Sequence, residues 1–431
     1  MLEKIQKIFT LKDLRRKIIY TVLLLFLSRV LAHIPLPGVD IAKLKQFFAS
    51  NQVFGLLDLF SGGTLSNFSI ILMGVGPYIT ASIVMQLLTM VIPSLEALQK
   101  EGEYGRQLIN RYTRFLTVPL AFIEGFGMIQ FLEKGSQIKI IEALSPYQIA
   151  IFLITITAGT VLLMWIGELI SENGVSNGIS LIITIGIISG FPTQLKNTIT
   201  LITGGGVIEW GKILGFAIFI ILAVLSIAVI ILFNEAQRNI PIAYARRTQG
   251  LKTYGGVETH LPLKVNMAGV IPIIFALSIL VFPSVIARFF TSAKSVWLSN
   301  FATSVSHLFD NQVFNGSLYF ILVVLFTYFY TFVIFHPQEL AENLQKQGAF
   351  IPGFRPGGQT ASYLNYVTNR ILIGGAIFLG LIAVLPFIAQ AITKIDTIVL
   401  GGTGMLIVVS VVLETARQIQ SQILMRTYEE Y

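Results

Sequence analysis

Apolar runs of about twenty residues recur along the whole chain, separated mostly by short polar stretches. A helix crossing a hydrocarbon core needs about 20 mostly apolar residues. Windows of that kind fall at 18–34, 69–91, 112–132, 148–170, 178–192, 210–233, 266–286, 317–336, 370–391 and 399–416. The pattern predicts ten membrane-spanning helices. The fifth is the weakest, since it follows Glu168, Glu172 and Gly174 and reaches only to Pro192. Ten spans suggest two halves of five, 1–192 and 193–431. An odd number per half makes the second half enter from the opposite side, which permits an inverted repeat with a path between the halves. No internal sequence repeat is clear, so this division rests on counting.

Three interruptions stand out. Between the first two spans lies Val53-Phe54-Gly55-Leu56-Leu57-Asp58-Leu59-Phe60-Ser61-Gly62-Gly63. It is too short to span, and irregular backbone at membrane depth survives only inside protein or beside a watery cavity. A re-entrant half-helix is expected at about 54–67; a short amphipathic helix on the outer surface is the alternative. In the loop at about 234–265, Ile242, Tyr244 and Arg246 alternate before Gly250, Gly255 and Gly256, and Val257, Thr259, Leu261 and Leu263 alternate after them, which predicts a hairpin. In the loop at about 337–369, a short helix from Pro337 is expected to stop before Gly348. The Pro352-Gly353-Phe354-Arg355-Pro356-Gly357-Gly358 turn that follows is stiffened by its prolines and carries one arginine at its tip.

Composition agrees with the pattern. Hydrophobic residues make up 54% of the 431 and charged residues 12%, whereas soluble proteins carry roughly 25% charged. Mean hydropathy is +0.76. The net charge of +8 is distributed unevenly: with the N-terminus inside, same-side segments hold about 20 Lys and Arg and the opposite loops, with Lys212 at a span end, about 9. That excess places both termini in the cytoplasm. Lys4, Lys7, Lys12, Arg15, Arg16 and Lys17 precede the first span, and no small-residue cleavage site follows it, so it reads as a retained helix.

Several chemistries are unsupported. Cysteine is absent and the four histidines do not pair at helical spacing, so no metal site is expected. No Gly-x-x-x-x-Gly-Lys-Ser/Thr run, HExxH run or nucleophile elbow occurs, and neither a cofactor nor enzymatic activity is expected. Intramembrane charges are few. Arg29 lies toward the outer end of the first span, where it can snorkel. Glu124, near the middle of the third, is the one costly carboxylate; it leaves open a secondary solute transporter as an alternative function. A structural scaffold is a third.

Specific runs then narrow the choice. Ile34-Pro35-Leu36-Pro37-Gly38-Val39-Asp40, Leu59-Phe60-Ser61-Gly62-Gly63, Gly76-Pro77-Tyr78-Ile79-Thr80-Ala81-Ser82-Ile83, Gln86-Leu87-Leu88, Lys100-Glu101-Gly102-Glu103 and Asn177-Gly178-Ile179-Ser180 resemble the SecY family, the central subunits of the bacterial translocon. So do the run from His260 to Pro272, the run from Gly348 to Gly357, and Gly401-Gly402-Thr403. They occur in family order and cover the first to the tenth span.

The resemblance implies a clamshell of two five-helix halves with a lateral gate between the second and seventh spans. It implies a passive protein-conducting channel in the bacterial cytoplasmic membrane that translocates unfolded secretory chains and releases apolar helices into lipid. It implies a pore ring of Val75, Ile79, Ile179, Ile183, Ile274 and Ile407. It also implies a gate seam of Thr80, Gln86 and Asn266, and a plug containing Leu57, Asp58, Leu59, Phe60, Ser61, Gly62 and Gly63. Arg355, Arg246, Arg247 and Lys252 would dock partners. Those partners would be the SecE and SecG subunits, the SecA motor, the ribosome, signal peptides and nascent chains, and membrane lipid. The ring has a physical rationale, because β-branched side chains are stiff and an apolar constriction dewets and blocks ions. Two departures from the family pattern are expected to matter: the carboxylate at Glu124, and an end to the chain soon after the tenth span.

Overall fold

A backbone in lipid must satisfy its own hydrogen bonds, so apolar runs become helices, and the long polar loops between them are free to form something else. The computed structural model describes residues 11–37, 44, 61–130, 132, 145–203, 210–244, 247–249, 252–254, 258–290, 295–393 and 402–429. The elements of the first part are α1 (Lys12–Ala32), α2 (Gly76–Val91), α3 (Pro93–Lys100), α4 (Glu103–Gln130), α5 (Pro146–Asn173), α6 (Gly178–Thr203) and α7 (Trp210–Glu235). Four strands follow: β1 (Gln237–Tyr244), β2 (Arg247–Gln249), β3 (Lys252–Tyr254) and β4 (Glu258–Lys264). Then come α8 (Ile271–Phe290), α9 (Val296–Asp310), α10 (Gln312–Ile334), α11 (Pro337–Lys346), β5 (Ala349–Phe350), α12 (Gly358–Thr393) and α13 (Gly402–Glu429).

Among the described residues, α5, α7, α10 and α12 are each long and apolar enough to cross a membrane; α2 and α3, bent by 101°, would together make a fifth span. The chain is therefore a predominantly helical membrane protein, with four to five spans meeting this measure of length and composition among the described residues. Several expected boundaries shift. The second span was expected from 69, but 62–75 is a series of turns and the helix starts at Gly76, after Gly74 at φ +55° and with Pro77 in its first turn. The fifth span does not stop at Pro192: α6 runs through it to Thr203. A membrane helix tolerates such a proline when neighbouring groups take up the freed carbonyl. Helix α9 lies between expected spans and was not foreseen. Local signals hold where caps are present: Ser145 and Gln148 form a reciprocal capping box at the start of α5, with Pro146 in the first turn.

The helices pack mainly in two sets. In one, α4 packs on α2 and α5, and α5 on α6 and α1; in the other, α10 packs on α8 and α12, and α7 on α12 and α13. Contacts between the sets run from α6 to α13 and, sparsely, from α2 to α8. One apolar cluster draws residues from both sets, including Leu163, Ile183, Ile273, Val323, Leu379 and Ile407. A second, around Phe68, Ile129 and Phe152, seats the 61–75 turns against α4 and α5.

The chain is not wholly helical. As expected, 237–264 forms a hairpin, β1 pairing antiparallel with β4 from Gln237↔Lys264 to Ala243↔Glu258. The structure adds β5 to the other edge of β1, giving the sheet order β4-β1-β5. The two long loops are thus one unit.

 Ile242, Leu344 and Ala349 are buried together there, with Leu261 packed against them, and Ile240, Leu263 and Ile351 pack beside them onto Leu364 and Val367 of α12.

Candidate functional site

The six ring candidates converge. Val75, Ile183 and Ile407 are buried in the large apolar cluster, and Ile79, Ile179 and Ile274 are half-buried against it. They come from the end of the 62–75 turns and from α2, α6, α8 and α13, so both helix sets contribute. Val75 and Ile183 also line one small cavity, with Ser28, Arg29, Ser61, Thr64, Ile71, Gly74, Leu163 and Ile182. Ile179 has a second contact: a Cβ on Gly167 of α5 would lie 2.4 Å from its Cδ1, so it covers that glycine closely.

The gate residues are arranged differently from the expected seam. Thr80 donates to the Gly76 carbonyl at 3.2 Å within α2 and is hydrogen-bonded to Glu124 of α4. The departure at Glu124 therefore lies beside α2, hydrogen-bonded to one of the expected gate residues. Gln86 has a buried Oε1 with no partner among the described residues. Asn266 donates from Nδ2 to Asn234 Oδ1 at 2.8 Å, and Asn234 in turn donates to Ser410 Oγ at 2.8 Å. Arg417 of α13 donates to the Asn234 carbonyl at 3.0 Å and to Glu235 Oε1 at 2.6 Å. The cause is register. β1 and β4 pair Gln237 with Lys264, and Val265 donates to the Ala236 carbonyl at 3.0 Å, which delivers Asn266 beside the end of α7.

Between α2 and α8 the contact is apolar. Ile83, Ala268 and Phe275 are buried together with Tyr330, and Ile79, Ile271 and Phe326 pack around them. Phe275 meets Phe326 and Tyr330 edge-on at 6.0 and 5.9 Å. Such a seam resists parting by packing alone, and an apolar helix can replace its contacts with similar ones.

Of the plug candidates, Leu57, Asp58, Leu59 and Phe60 lie outside the described residues. Ser61, Gly62 and Gly63 begin the run of turns, with Gly62 and Gly63 at φ +73° and +80°. That run is tied to the end of α1: Leu36 donates to the Phe68 carbonyl at 2.8 Å and Ile70 to the Ile34 carbonyl at 3.0 Å. Arg29 does not snorkel outward. Its Nη2 donates to the Gly62 carbonyl at 2.6 Å.

Of the docking candidates, Arg246 lies outside the described residues. Arg247 and Lys252 sit in the β2–β3 ladder opposite Tyr254 and Gln249. Arg355 is exposed on a turn fixed from several directions. Its N–H donates to Gln359 Oε1 at 3.3 Å, its carbonyl accepts from Thr360 Oγ1 at 2.9 Å, and Phe354 stacks on Tyr363 at 4.1 Å. Gly353 and Gly357 take φ of +89° and +95°, which explains the glycines flanking this tip. On α3, the Lys100 ammonium bonded to Glu96 at 2.7 Å holds that carboxyl below its usual range, and the lysine is itself raised. Both are exposed, so the pair contributes little to stability. No cluster able to hold a metal occurs among the described residues.

Sequence reasoning missed the Asn234–Ser410–Arg417 junction, the union of the two loops through β5, and the inward turn of Arg29. The junction and β5 depend on pairing between segments far apart in the chain, which no local pattern reports. Arg29 offered one signal: an arginine inside an otherwise apolar span has to find a partner or reach water.

Apolar helices meeting in a common cluster, an apolar seam between α2 and α8, and a tethered run of turns beside Val75 and Ile183 have the features of a membrane channel. A family model described as SecY matches residues 69–416. Curated relatives named protein translocase subunit SecY include one from Streptomyces galbus, 41% identical over all of both chains. Another, from Thermus thermophilus, is 42% identical over all of this chain and 98% of the relative. Solved structures share the fold. One titled as the structure of a protein conducting channel matches at TM-score 0.65 and 19% identity, covering 94% of this chain and 91% of that one. Sec61 in a canine ribosome-channel complex matches at 0.60 and 18% with the same coverage. The chain belongs to the SecY family.

Proposed function

We propose that this chain forms the passive channel through which unfolded secretory polypeptides cross the cytoplasmic membrane and from which apolar helices pass sideways into lipid. Membership of the SecY family carries polypeptide transport. The observation that supports the route is the convergence of Val75, Ile79, Ile179, Ile183, Ile274 and Ile407 on one apolar cluster fed by both helix sets. In this reading those six form the constriction, an apolar ring that blocks ions by dewetting and yields around a chain without offering it polar binding sites. The chain has ten spans in two inverted halves, 1–192 and 193–431, with both termini cytoplasmic and a plug at about 54–67.

The gate opens between α2 and α8, and its seam is chiefly the Ile83–Phe275 contact region. Thr80 and Gln86 supply polar groups on one side. Asn266 joins them only by leaving Asn234. Glu124, bonded to Thr80, acts here as a gate neighbour rather than a coupling carboxylate. The chain supplies no energy. SecA or the ribosome docks on the joined cytoplasmic loops, with Arg355 as a principal contact and Arg246, Arg247 and Lys252 as supporting cations, while SecE and SecG complete the complex. One relative in structure is a ribosome-bound channel, which supports a ribosomal partner for these loops.

The test uses the absence of native cysteine. Ile83→Cys with Phe275→Cys, joined by a short bis-maleimide in reconstituted translocase, should abolish transport of a secretory precursor, while either single variant transports after the same treatment. Full cross-linking with transport unchanged would refute the gate.

A further inference from the structure

Arg29 lies in the last turn of α1, where a cation complements the helix's carbonyl end. Its guanidinium points into the protein. Nη2 donates to the Gly62 carbonyl at 2.6 Å, and Nε is buried with no partner among the described residues. Gly62 is pressed from two sides: a Cβ placed on it would lie 2.5 Å from Gly186 Cα of α6 and 2.6 Å from Arg29 Nη1. Its φ of +73° excludes a side chain independently. From the other wall, a Cβ on Gly186 would lie 2.9 Å from Gly62 Cα. Gly186 is three residues beyond Ile183, one helical turn from the constriction. Arg29, Val75 and Ile183 line the same small cavity.

The segment held in this way is self-supporting. Thr64 Oγ1 is within hydrogen-bonding distance of the Leu72 and Ser61 carbonyls, at 3.1 and 3.2 Å, and Asn67 and Ser69 donate backward to the Gly63 and Thr64 carbonyls. Its far end is tied to α1 through Phe68 and Ile70, and its near end meets the pore wall at Gly62. A compact body fixed at one end needs only one further contact to set its position.

We propose that Arg29 is the positioning residue of the plug: its guanidinium clamps the Gly62 carbonyl against Gly186 one turn outward of the constriction, and this bond breaks when the pore opens. The inference rests on the channel reading above. A charged donor on a carbonyl in a water-poor site is a strong hydrogen bond, yet it is a single one that a displaced plug can re-form. The Gly62–Gly186 contact makes it position-sensitive, because any side chain at either glycine lifts the carbonyl off its seat.

The test is closed-state ion conductance of the reconstituted translocase in planar bilayers. Arg29→Met keeps length and removes every donor, and should raise open probability about tenfold or more. Arg29→Lys keeps one charged donor and should stay within about threefold of native. Gly186→Ala should raise conductance without touching the charge, and keeps the proposal testable if Arg29→Met fails to fold. A chain lacking 57–66 serves as the plugless reference. If that reference conducts while Arg29→Met and Gly186→Ala remain as silent as native, the clamp is refuted. If the plugless chain is itself silent, the channel reading fails, and the clamp with it. A leak in Arg29→Lys equal to that in Arg29→Met also overturns the proposal, since a merely space-filling role would not distinguish donor from apolar chain.

Discussion

Asn234→Ala removes the side chain at the centre of a junction between three elements. Asn234 near the end of α7 donates to Ser410 of α13 and accepts from Asn266, both at 2.8 Å. The substitution breaks both bonds. Interhelical side-chain bonds in membranes average about 0.6 kcal/mol and reach about 1.7, so the loss should be about 1–3 kcal/mol. It should not be larger, because Arg417 still holds the residue-234 carbonyl and Glu235. Ser410→Ala removes one of the two bonds and should cost about 0.6–1.7 kcal/mol. The double variant should fall short of the sum by a similar amount, since a shared bond is lost only once. Asn266→Ala should be milder than Asn234→Ala. It loses one bond but also removes an Oδ1 that is buried without a partner among the described residues. Equilibrium unfolding in mixed micelles measures all four. Costs that add to within about 0.3–0.5 kcal/mol, or an Asn266→Ala penalty above that of Asn234→Ala, would refute the junction.

Three other outcomes are expected. Replacing Ile79, Ile183 and Ile407 together with Ser should leave a folded chain that leaks ions in planar bilayers; native conductance would remove them from the constriction. Ile242→Asp puts a lone carboxylate into a position that is 4% exposed, where burial of an unpaired charge is strongly unfavourable. Limited proteolysis should then cut the 234–265 and 337–369 loops together, and cleavage confined to 234–265 would mean that β5 does not tie them. Arg355→Glu should nearly abolish SecA-driven translocation with membrane insertion normal, and Arg355→Lys should be intermediate, because a rigid tip loses little freedom on docking and lysine cannot copy a paired guanidinium contact. Co-sedimentation with SecA should weaken in parallel; native-rate translocation by Arg355→Glu would reassign the tip.

Some of this was legible in the residues. Apolar runs such as 148–170 became helix because lipid leaves the backbone no other partner. The alternation at Ile242 and Tyr244 and at Thr259, Leu261 and Leu263 falls in β1 and β4 because strand periodicity is local. The Pro/Gly pattern around Arg355 became a fixed turn because φ preferences belong to single residues. Helix ends were harder: Pro192 looked like a stop, yet α6 continues past it.

The sequence by itself determined the solvent this protein lives in, its main helices, its hairpin, its stiff exposed arginine and, through short runs in order, its family. Only the tertiary structure decided partners. Asn266 belongs beside Asn234 because β-register carries it there, β5 closes on β1 across about a hundred residues of chain, and Arg29 turns inward onto the carbonyl of Gly62, which packs against Gly186. Each depends on which distant segments pack together, and helix or strand periodicity fixes a face without naming what that face will meet.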